Sequence, residues 1–379
     1  MLSARCVVAD KVFETRKYTT INILSFIVVL GLLIIITSIK SKAASYGLPD
    51  SLVSVTIDPK NSKIIYLPTR AGLYKSIDAG ANWNLVNNEF GMWESKITID
   101  PNNSAVLYTN AVFYSKAYPH GIFAIIKSNN SGHDWHLLTE LEDYYDYRIF
   151  IDPNNSSIVY TSNEDRIYKS TNAGLNWEKI FSVAKEDANG PIVLSIGSQR
   201  KSSILYVCVP ERGGHNRIIK SIDDGKSWIN IDHSMDVPRS WGHMIKTIAV
   251  SPHNSNIIFA VFPNRLYKSS NGGKTWVLIK KSPYDKNDAE YIEIIFTNNQ
   301  NVIYLNTELG IYRSANGGKD WKPTHPLKGV DNMVGSQIFT VDPRNYNIIY
   351  AGLREYSLYK SSNGGRTWKE IFRRPLIKE

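Results

Sequence analysis

The side chains best suited to chemistry fall in a few segments rich in carboxylates, arginines and aromatic rings. Asp143, Asp146 and Glu290, with Glu142 and Asp285 nearby in sequence, are candidate catalytic carboxylates. Cleaving a glycosidic bond needs two such groups facing each other across the sugar. Arg70, Arg148, Arg212, Arg239 and Arg354 are suited to pairing with a ligand carboxylate. Trp93, Tyr144, Tyr145, Trp241 and Tyr291, joined by Arg148, Arg239 and His243, form a candidate ligand-binding set. Flat aromatic faces beside charged groups suit a carbohydrate or a peptide. The chain has no Gly-Lys-Thr phosphate loop and no His-Glu-x-x-His motif. Its two cysteines, Cys6 and Cys208, provide neither a disulfide framework nor zinc spacing. No metal and no cofactor is therefore expected.

These residues must be positioned by a repeated element. The octapeptide Ser-x-Asp/Asn-x-Gly-x-x-Trp occurs seven times, and its serines are Ser76, Ser128, Ser170, Ser221, Ser269, Ser314 and Ser361. The third position is Asp78, Asn130, Asn172, Asp223, Asn271, Asn316 and Asn363 in turn. The eighth is Trp83, Trp135, Trp177, Trp228, Trp276, Trp321 and Trp368. Successive serines lie 52, 42, 51, 48, 45 and 47 residues apart. An Ile-Asp-Pro-x-Asn-Ser segment precedes several copies, clearest from Thr56, Thr98 and Phe150. Short apolar runs broken by Pro-Asn, Asn-Gly and Asp-Gly turns read as antiparallel hairpins. Each unit then holds four strands, A to D, and units of this length are propeller blades. The expectation is an all-β, seven-bladed β-propeller of four-stranded blades. Blade 7 should pack on blade 1 without exchanging a strand.

Within the octapeptide, the Asp or Asn should accept hydrogen bonds from its own turn, and the Gly should take a positive φ. The Trp should bury a large face. Tolerance of Asn in five copies argues against a calcium site. A cation precedes every box serine: Lys75, Lys127, Lys169, Lys220, Lys268, Arg313 and Lys360. The chain carries 44 Lys/Arg and 35 Asp/Glu, a net +9. Without the basic leader and these seven repeat cations, the two signs nearly balance. No patch dense enough for nucleic acid remains. Either the repeat cations lie along the blades beside aromatic rings, or they form a positive ring that meets an acidic partner.

The octapeptide resembles the Asp-box, or bacterial neuraminidase repeat. The fuller unit is similar to repeats of sortilin-type propellers and xyloglucanase-type glycoside hydrolases, and less closely to the propeller of a photosystem assembly factor. This resemblance covers about residues 53–372 and implies the fold. It includes enzymes and non-enzymes, so it leaves function to the site. The Phe-Arg-Ile-Pro signature of sialidases is absent.

Residues 21–39 form an uncharged apolar run of bilayer-spanning length, preceded by Arg5, Lys11, Arg16 and Lys17. We read residues 1–20 as a cytoplasmic basic leader and 21–39 as a transmembrane signal anchor or signal peptide. Residues 40–52 follow as a linker and 53–379 as the propeller. The propeller should then lie outside the cytoplasm, held by a single-pass helix or secreted if the signal is cleaved. Loops between strands B and C, and between D and the next A, share one edge of every blade, and the candidate residues fall there. The leading expectation is a non-catalytic scaffold binding an envelope protein or glycan on that face. The alternative is a glycoside hydrolase, xyloglucanase- or sialidase-like, using paired carboxylates there.

Overall fold

Short apolar runs separated by turn residues cannot bury both faces as isolated hairpins, so they stack as blades. The computed structural model describes residues 52–69, 72–88, 96–113, 122–140, 148–198, 203–212, 215–235, 245–263, 265–281, 291–307, 310–324, 338–352 and 357–373. The apolar segment 21–39 lies outside them. Among the described residues no helix is long and apolar enough to cross a membrane.

In blade 1, strand A is Thr56–Ile57, B is Ile65–Thr69, C is Gly72–Ser76 and D is Asn84–Asn87. They pair antiparallel in chain order, with Thr56 opposite Tyr66, Tyr66 opposite Lys75 and Lys75 opposite Asn84. Six further four-stranded sheets follow among the described residues. They run from Thr98–Asp100 to His136–Glu140, from Arg148–Asp152 to Glu178–Ser182, and from Val193–Ser198 to Ile229–Asn230. The last three run from Thr247–Val250 to Val277–Lys281, from Tyr291–Phe296 to Lys322–Pro323, and from Ile338–Val341 to Lys369–Arg373. Every sheet uses four consecutive strands, so the seven-bladed β-propeller closes by packing and not by strand exchange.

The core lies between blades. At one position strand B of every blade carries a large aromatic residue: Tyr66, Tyr108, Tyr160, Tyr206, Phe259, Tyr304 and Tyr350, none more than 1% exposed. Each such burial stabilises the fold by roughly 1.5–3 kcal/mol. The apolar clusters span neighbours. Tyr206 and Cys208 of blade 4 pack with Ile248, Ile258 and Phe262 of blade 5. Leu52, Val55 and Leu67 of blade 1 pack with Ile338, Tyr350 and Leu358 of blade 7.

The octapeptide turns are built alike. The Ser76 hydroxyl donates to Asp78 at 2.8 Å, and the Gly80 and Asn82 N–H groups donate to Ser76 Oγ and Asp78 Oδ1, each at 2.8 Å. The Asn copies do the same: Asn130 accepts from the Ser128 hydroxyl at 3.0 Å and from the Asp134 N–H at 2.9 Å. Two successive residues take left-handed φ, Ala79 at 61° and Gly80 at 89°, which lets the chain reverse within the box. The turn is fixed to the A–B turn of its own blade, as where Ala79 N–H donates to Lys63 O at 2.8 Å. This places the A–B and C–D turns on one edge.

The repeat cations cross to the next blade. Lys360 Nζ sits 5.5 Å from the Tyr350 ring centroid and donates to Ala79 O of blade 1 at 3.0 Å. Lys220 Nζ sits 5.1 Å from the Tyr206 centroid and donates to Gly272 O at 3.2 Å. Lys268 Nζ is 5.5 Å from the Phe259 centroid and 2.7 Å from Gly317 O. Burial lowers the pKa of Lys75, Lys127, Lys220, Lys268 and Lys360. Lys127, Lys220, Lys268 and Lys360 act as inter-blade struts, each engaged by a ring and by a carbonyl of the next blade, and Lys75 lies over the Tyr66 ring.

The A–B turns interlock too. Ser104 of blade 2 donates to Asp58 of blade 1 at 2.7 Å, Ser156 to Asp100 at 2.6 Å, and Ser62 to Asp342 of blade 7 at 2.8 Å. Ser203 donates to Asp152. Blade 4 has Gly197 in place of the Asp. There a Cβ would meet Ser255 Cβ of blade 5 at 2.9 Å, so the next serine occupies the room that an Asp takes elsewhere.

Candidate functional site

Strand A is the innermost strand of each blade, and together the seven A strands wall a central channel. In each blade one strand A residue lies opposite the strand B aromatic: Thr56, Thr98, Phe150, Ser195, Ala249, Ile295 and Thr340. Side chains alternate along a strand, so the residue two positions earlier shares its face. That earlier tier reads Ser54, Lys96, Arg148, Val193, Thr247, Glu293 and Ile338, and all seven line one cavity of about 750 Å³. Lys246 lines it beside Thr247. The tier stands four residues before Asp58 of the A–B turn, so it belongs to the B–C/D–A mouth of the channel.

Lys96 Nζ and Glu293 Oε1 are 2.8 Å apart. Their blades, 2 and 6, are not neighbours, so the pair reaches across the channel. The two side chains remain 60% and 29% exposed, a wet ion pair and not a buried one. Such pairs contribute little to stability, which leaves them available for exchange with a ligand. Three cations, Lys96, Arg148 and Lys246, therefore share the mouth with Glu293, the one carboxylate among its described lining residues. The channel hydroxyls are largely engaged between blades. Thr56 donates to Ile97 O and Thr98 to Ile149 O, both at 3.0 Å, and Ser195 Oγ accepts from Val250 N–H at 3.1 Å. Below the tier the channel face mixes the hydroxyls of Thr98 and Ser195 with Phe150, Ala249 and Ile295.

Of the candidate ligand-binding residues, Arg148 opens strand A of blade 3 and is part of this tier. Tyr291 opens strand A of blade 6, opposite Thr307 and two residues before Glu293. Trp93, Tyr144, Tyr145, Arg239, Trp241 and His243 lie outside the described residues. The carboxylates Asp143, Asp146 and Glu290 lie outside them as well. Among the described residues no group of three or more His, Cys, Asp or Glu side chains is placed to hold a metal ion.

Sequence reasoning missed Lys96, Lys246 and Glu293. A signal was present. At one repeat position in an otherwise apolar strand, the residue changes from Ser to Lys, Arg, Val, Thr, Glu and Ile.

No family model matches the chain. Among curated proteins it is 23% identical over 239 residues to xyloglucanase Xgh74A of Acetivibrio thermocellus, covering 59% of this chain and 24% of that enzyme. The chain thus spans about a quarter of the length of the curated relative it matches. The crystal structure of the GH74 xyloglucanase from Xanthomonas campestris superposes with a TM-score of 0.66 at 17% identity, over 86% of this chain and 55% of that one. The structure of YCF48 bound to D1 peptide superposes with a TM-score of 0.52 at 14% identity, over 84% and 91% of the two chains. At these identities the likeness is one of fold: the chain is a seven-bladed β-propeller resembling those of GH74 xyloglucanases and of YCF48.

Proposed function

We propose that the chain is a non-catalytic binding propeller, held outside the cytoplasm by its N-terminal apolar segment, that engages an envelope protein or glycan at the B–C/D–A mouth. The observation that carries this reading is the composition of the channel mouth. Lys96, Arg148 and Lys246 line the same cavity as Glu293, and Glu293 is engaged by Lys96. Hydrolysis needs a second carboxylate about 5–10 Å away across the sugar, whereas Glu293 is held by a cation of the opposite wall. A propeller of similar fold, YCF48, has been solved with a peptide bound, in keeping with a scaffold role. The repeat turns, which resemble Asp-boxes, serve architecture in this reading.

The likeness to GH74 xyloglucanases favours a second reading, a glycan hydrolase. Its carboxylates would come from Asp143, Asp146 and Glu290. The discriminating experiment is turnover by the purified full-length chain. Polysaccharides, sialosides and envelope glycans are incubated and the products read by mass. The binding reading expects no product from folded protein. Product that disappears on changing Asp143, Asp146 or Glu290 would overturn it in favour of the hydrolase.

A further inference from the structure

We propose that the turn edge of blades 4 to 7, opposite the channel mouth, docks an acidic and partly apolar segment of a partner protein, whose carboxylates meet cation pairs at three successive blade interfaces. The proposal stands apart from the reading of the mouth.

The repeat exposes these pairs by its own exceptions. In blades 1, 2, 3 and 7 the A–B turn carries a buried aspartate: Asp58, Asp100, Asp152 and Asp342. The charge of Asp58 acts on Lys75, that of Asp100 on Lys127 and that of Asp342 on Lys360. Lys169 of blade 3 lies 4.0 Å from Asp224. Blades 4, 5 and 6 have Gly197, Ser251 and Thr297 at the aspartate position. The Ser251 and Thr297 hydroxyls cap their turns in its place, accepting from His253 N–H at 3.3 Å and Asn299 N–H at 3.1 Å. The repeat cations of these blades therefore have neutral partners. Lys220 donates to Gly272 O, Lys268 donates to Gly317 O, and Arg313 lies over the Tyr346 ring.

A second cation stands at each of the same three interfaces. Lys274, Lys319 and Arg366 are the sixth residues of the octapeptides of blades 5, 6 and 7, and all are exposed. Lys274 comes two residues after the carbonyl that Lys220 bonds, and Lys319 two after the carbonyl that Lys268 bonds. Burial first, and the like charge of Lys274 second, lower the Lys220 pKa; burial and Lys319 do the same to Lys268. Arg366 follows Gly364 by two residues, and a Cβ on Gly364 would lie 3.6 Å from Arg313 Nε. In the first three octapeptides the sixth residue is Ala81, His133 and Leu175. In the fourth it is Lys226, which shares its turn with Asp223 and Asp224. Paired cations thus gather where the aspartate is missing. All A–B and C–D turns of blades 5 to 7 are described, and Asp320 is their one exposed carboxylate, accepting from the Asn316 side chain at 2.7 Å.

The neighbours on strand D select the kind of anion. Lys220 lies opposite Ile229 and Lys268 opposite Val277. Directly opposed residues share a face of the sheet, and these two side chains are 57% and 60% exposed. Each of the first two cation pairs therefore has an exposed apolar group at its rim. A phosphate or uronate polymer gains nothing from that group. A peptide that mixes acidic and apolar residues gains from both, through charge-assisted hydrogen bonds and through apolar burial. Most of the cations are lysines, point charges on flexible stems, which suit a series of separate carboxylates better than one fixed bidentate anion.

The test uses the purified full-length chain and fluorescent peptides of equal length that mix Glu with Val, Glu with Ser, or Gln with Val. Polyphosphate and polygalacturonate of matched charge serve as competitors. Anisotropy is read at low and high salt for the wild type, Lys274→Gln/Lys319→Gln, Ile229→Ser/Val277→Ser and Lys179→Gln, with each fold checked by its thermal midpoint. The Glu/Val peptide should bind most tightly, and salt should weaken it. Lys274→Gln/Lys319→Gln should weaken it by about fivefold or more, since an exposed ion pair is worth up to about fivefold and two are removed. Ile229→Ser/Val277→Ser should abolish the preference for Glu/Val over Glu/Ser. Lys179→Gln, an exposed cation of blade 3 away from these interfaces, should leave binding unchanged. No binding of the Glu/Val peptide at low salt, or an unchanged affinity in Lys274→Gln/Lys319→Gln, would overturn the proposal. Equal binding of the Glu/Ser peptide, or equal competition by either polymer, would replace it with a polyanion site indifferent to apolar groups. Glycan turnover tests the mouth alone and leaves this edge untouched.

Discussion

The indole N–H of Trp83 donates to the backbone oxygen of Ile371 at 3.1 Å, joining the first blade to the last across 288 residues of chain. With no strand shared between blades 7 and 1, contacts of this kind hold the ring shut. Around it, Trp83 and Phe372 meet edge to face with centroids 5.6 Å apart, and Tyr74 approaches the same ring at 5.5 Å. Ile371 also fills the space over Gly80, where an added Cβ would meet its Cδ1 at 2.6 Å.

Trp83 should therefore be a closure residue. Trp83→Ala should cost about 3–5 kcal/mol, as large-to-small core changes do. Trp83→Phe, which loses chiefly the hydrogen bond, should cost about 1 kcal/mol. Trp135 is the control, because its indole donates to Gly132 of its own turn at 3.0 Å. Hydrogen exchange should rise in Lys369–Arg373 for Trp83→Ala and not for Trp135→Ala. Equal exchange in the two variants would show that closure lies elsewhere.

The inter-blade struts give the fold an alkaline stability profile. Burial lowers the pKa of Lys75, Lys127, Lys220, Lys268 and Lys360. Below about 10.4, the ordinary lysine value, the unfolded chain then binds more protons than the folded one, so stability rises with pH. Burial pushes Tyr66 and Tyr206 up to about 12. Above about 10 the unfolded tyrosines ionise first and stability falls. The thermal midpoint should rise toward pH ~10 and decline between ~10 and ~12. Lys268→Met should make the rising limb shallower. A midpoint that falls steadily from neutral pH upward would contradict this account.

Much of the fold was legible in the sequence because the octapeptide is local. Ser76, Asp78, Gly80 and Trp83 build their turn within eight residues, so the spacing exposes the unit wherever it recurs. Closure by packing was legible because every one of the seven units reads as a complete set of strands A to D. The inter-blade clasps were not. The bond from Ser104 to Asp58 links one repeat's serine to the preceding repeat's aspartate, and nothing local shows the two meeting. The channel tier was hidden for the same reason. Lys96 and Glu293 are 197 residues apart and meet only once the ring is closed. Attention to loops favoured the aromatic residues of the D–A connections over the first residues of strand A, where Arg148 and Tyr291 were caught and Lys96 and Glu293 were not.

Two octapeptides should confer acid sensitivity and five should not. Asp78 is held down at about 2, chiefly by the Asn82 side chain, and Asp223 at about 2, chiefly by the Ser227 hydroxyl. Their folded pKa values lie below the ordinary ~3.9, so their contribution is complete above that value and is lost as pH falls toward 2. Asn fills the same turn in the other copies and accepts the same bonds, as Asn316 does from Asp320 N–H at 2.9 Å. The double variant Asp78→Asn/Asp223→Asn should fold normally and lose less thermal stability between pH ~4 and ~2 than the wild type. An acid limb identical to that of the wild type would assign the sensitivity to other carboxylates.

The fourth octapeptide position carries a correctable strain. Ala79 and Ala173 adopt φ of 61° and 58° there, and the equivalent residues of blades 5, 6 and 7 are Gly272, Gly317 and Gly364 at 71°, 69° and 71°. An L-residue with a Cβ is disfavoured in this region by roughly 1–2 kcal/mol. Glycine avoids that cost but loses about 0.5–1 kcal/mol through the greater freedom of its unfolded chain. The backbone bonds are equivalent, since Ala79 N–H donates to Lys63 O at 2.8 Å and Gly317 N–H to Asn301 O at 2.9 Å. Ala79→Gly and Ala173→Gly should therefore each stabilise the fold by up to about 1 kcal/mol, against the usual penalty for introducing glycine. Chemical denaturation should show a higher midpoint with an unchanged slope. A lower midpoint would mean that the alanine methyl contributes packing that outweighs its strained backbone.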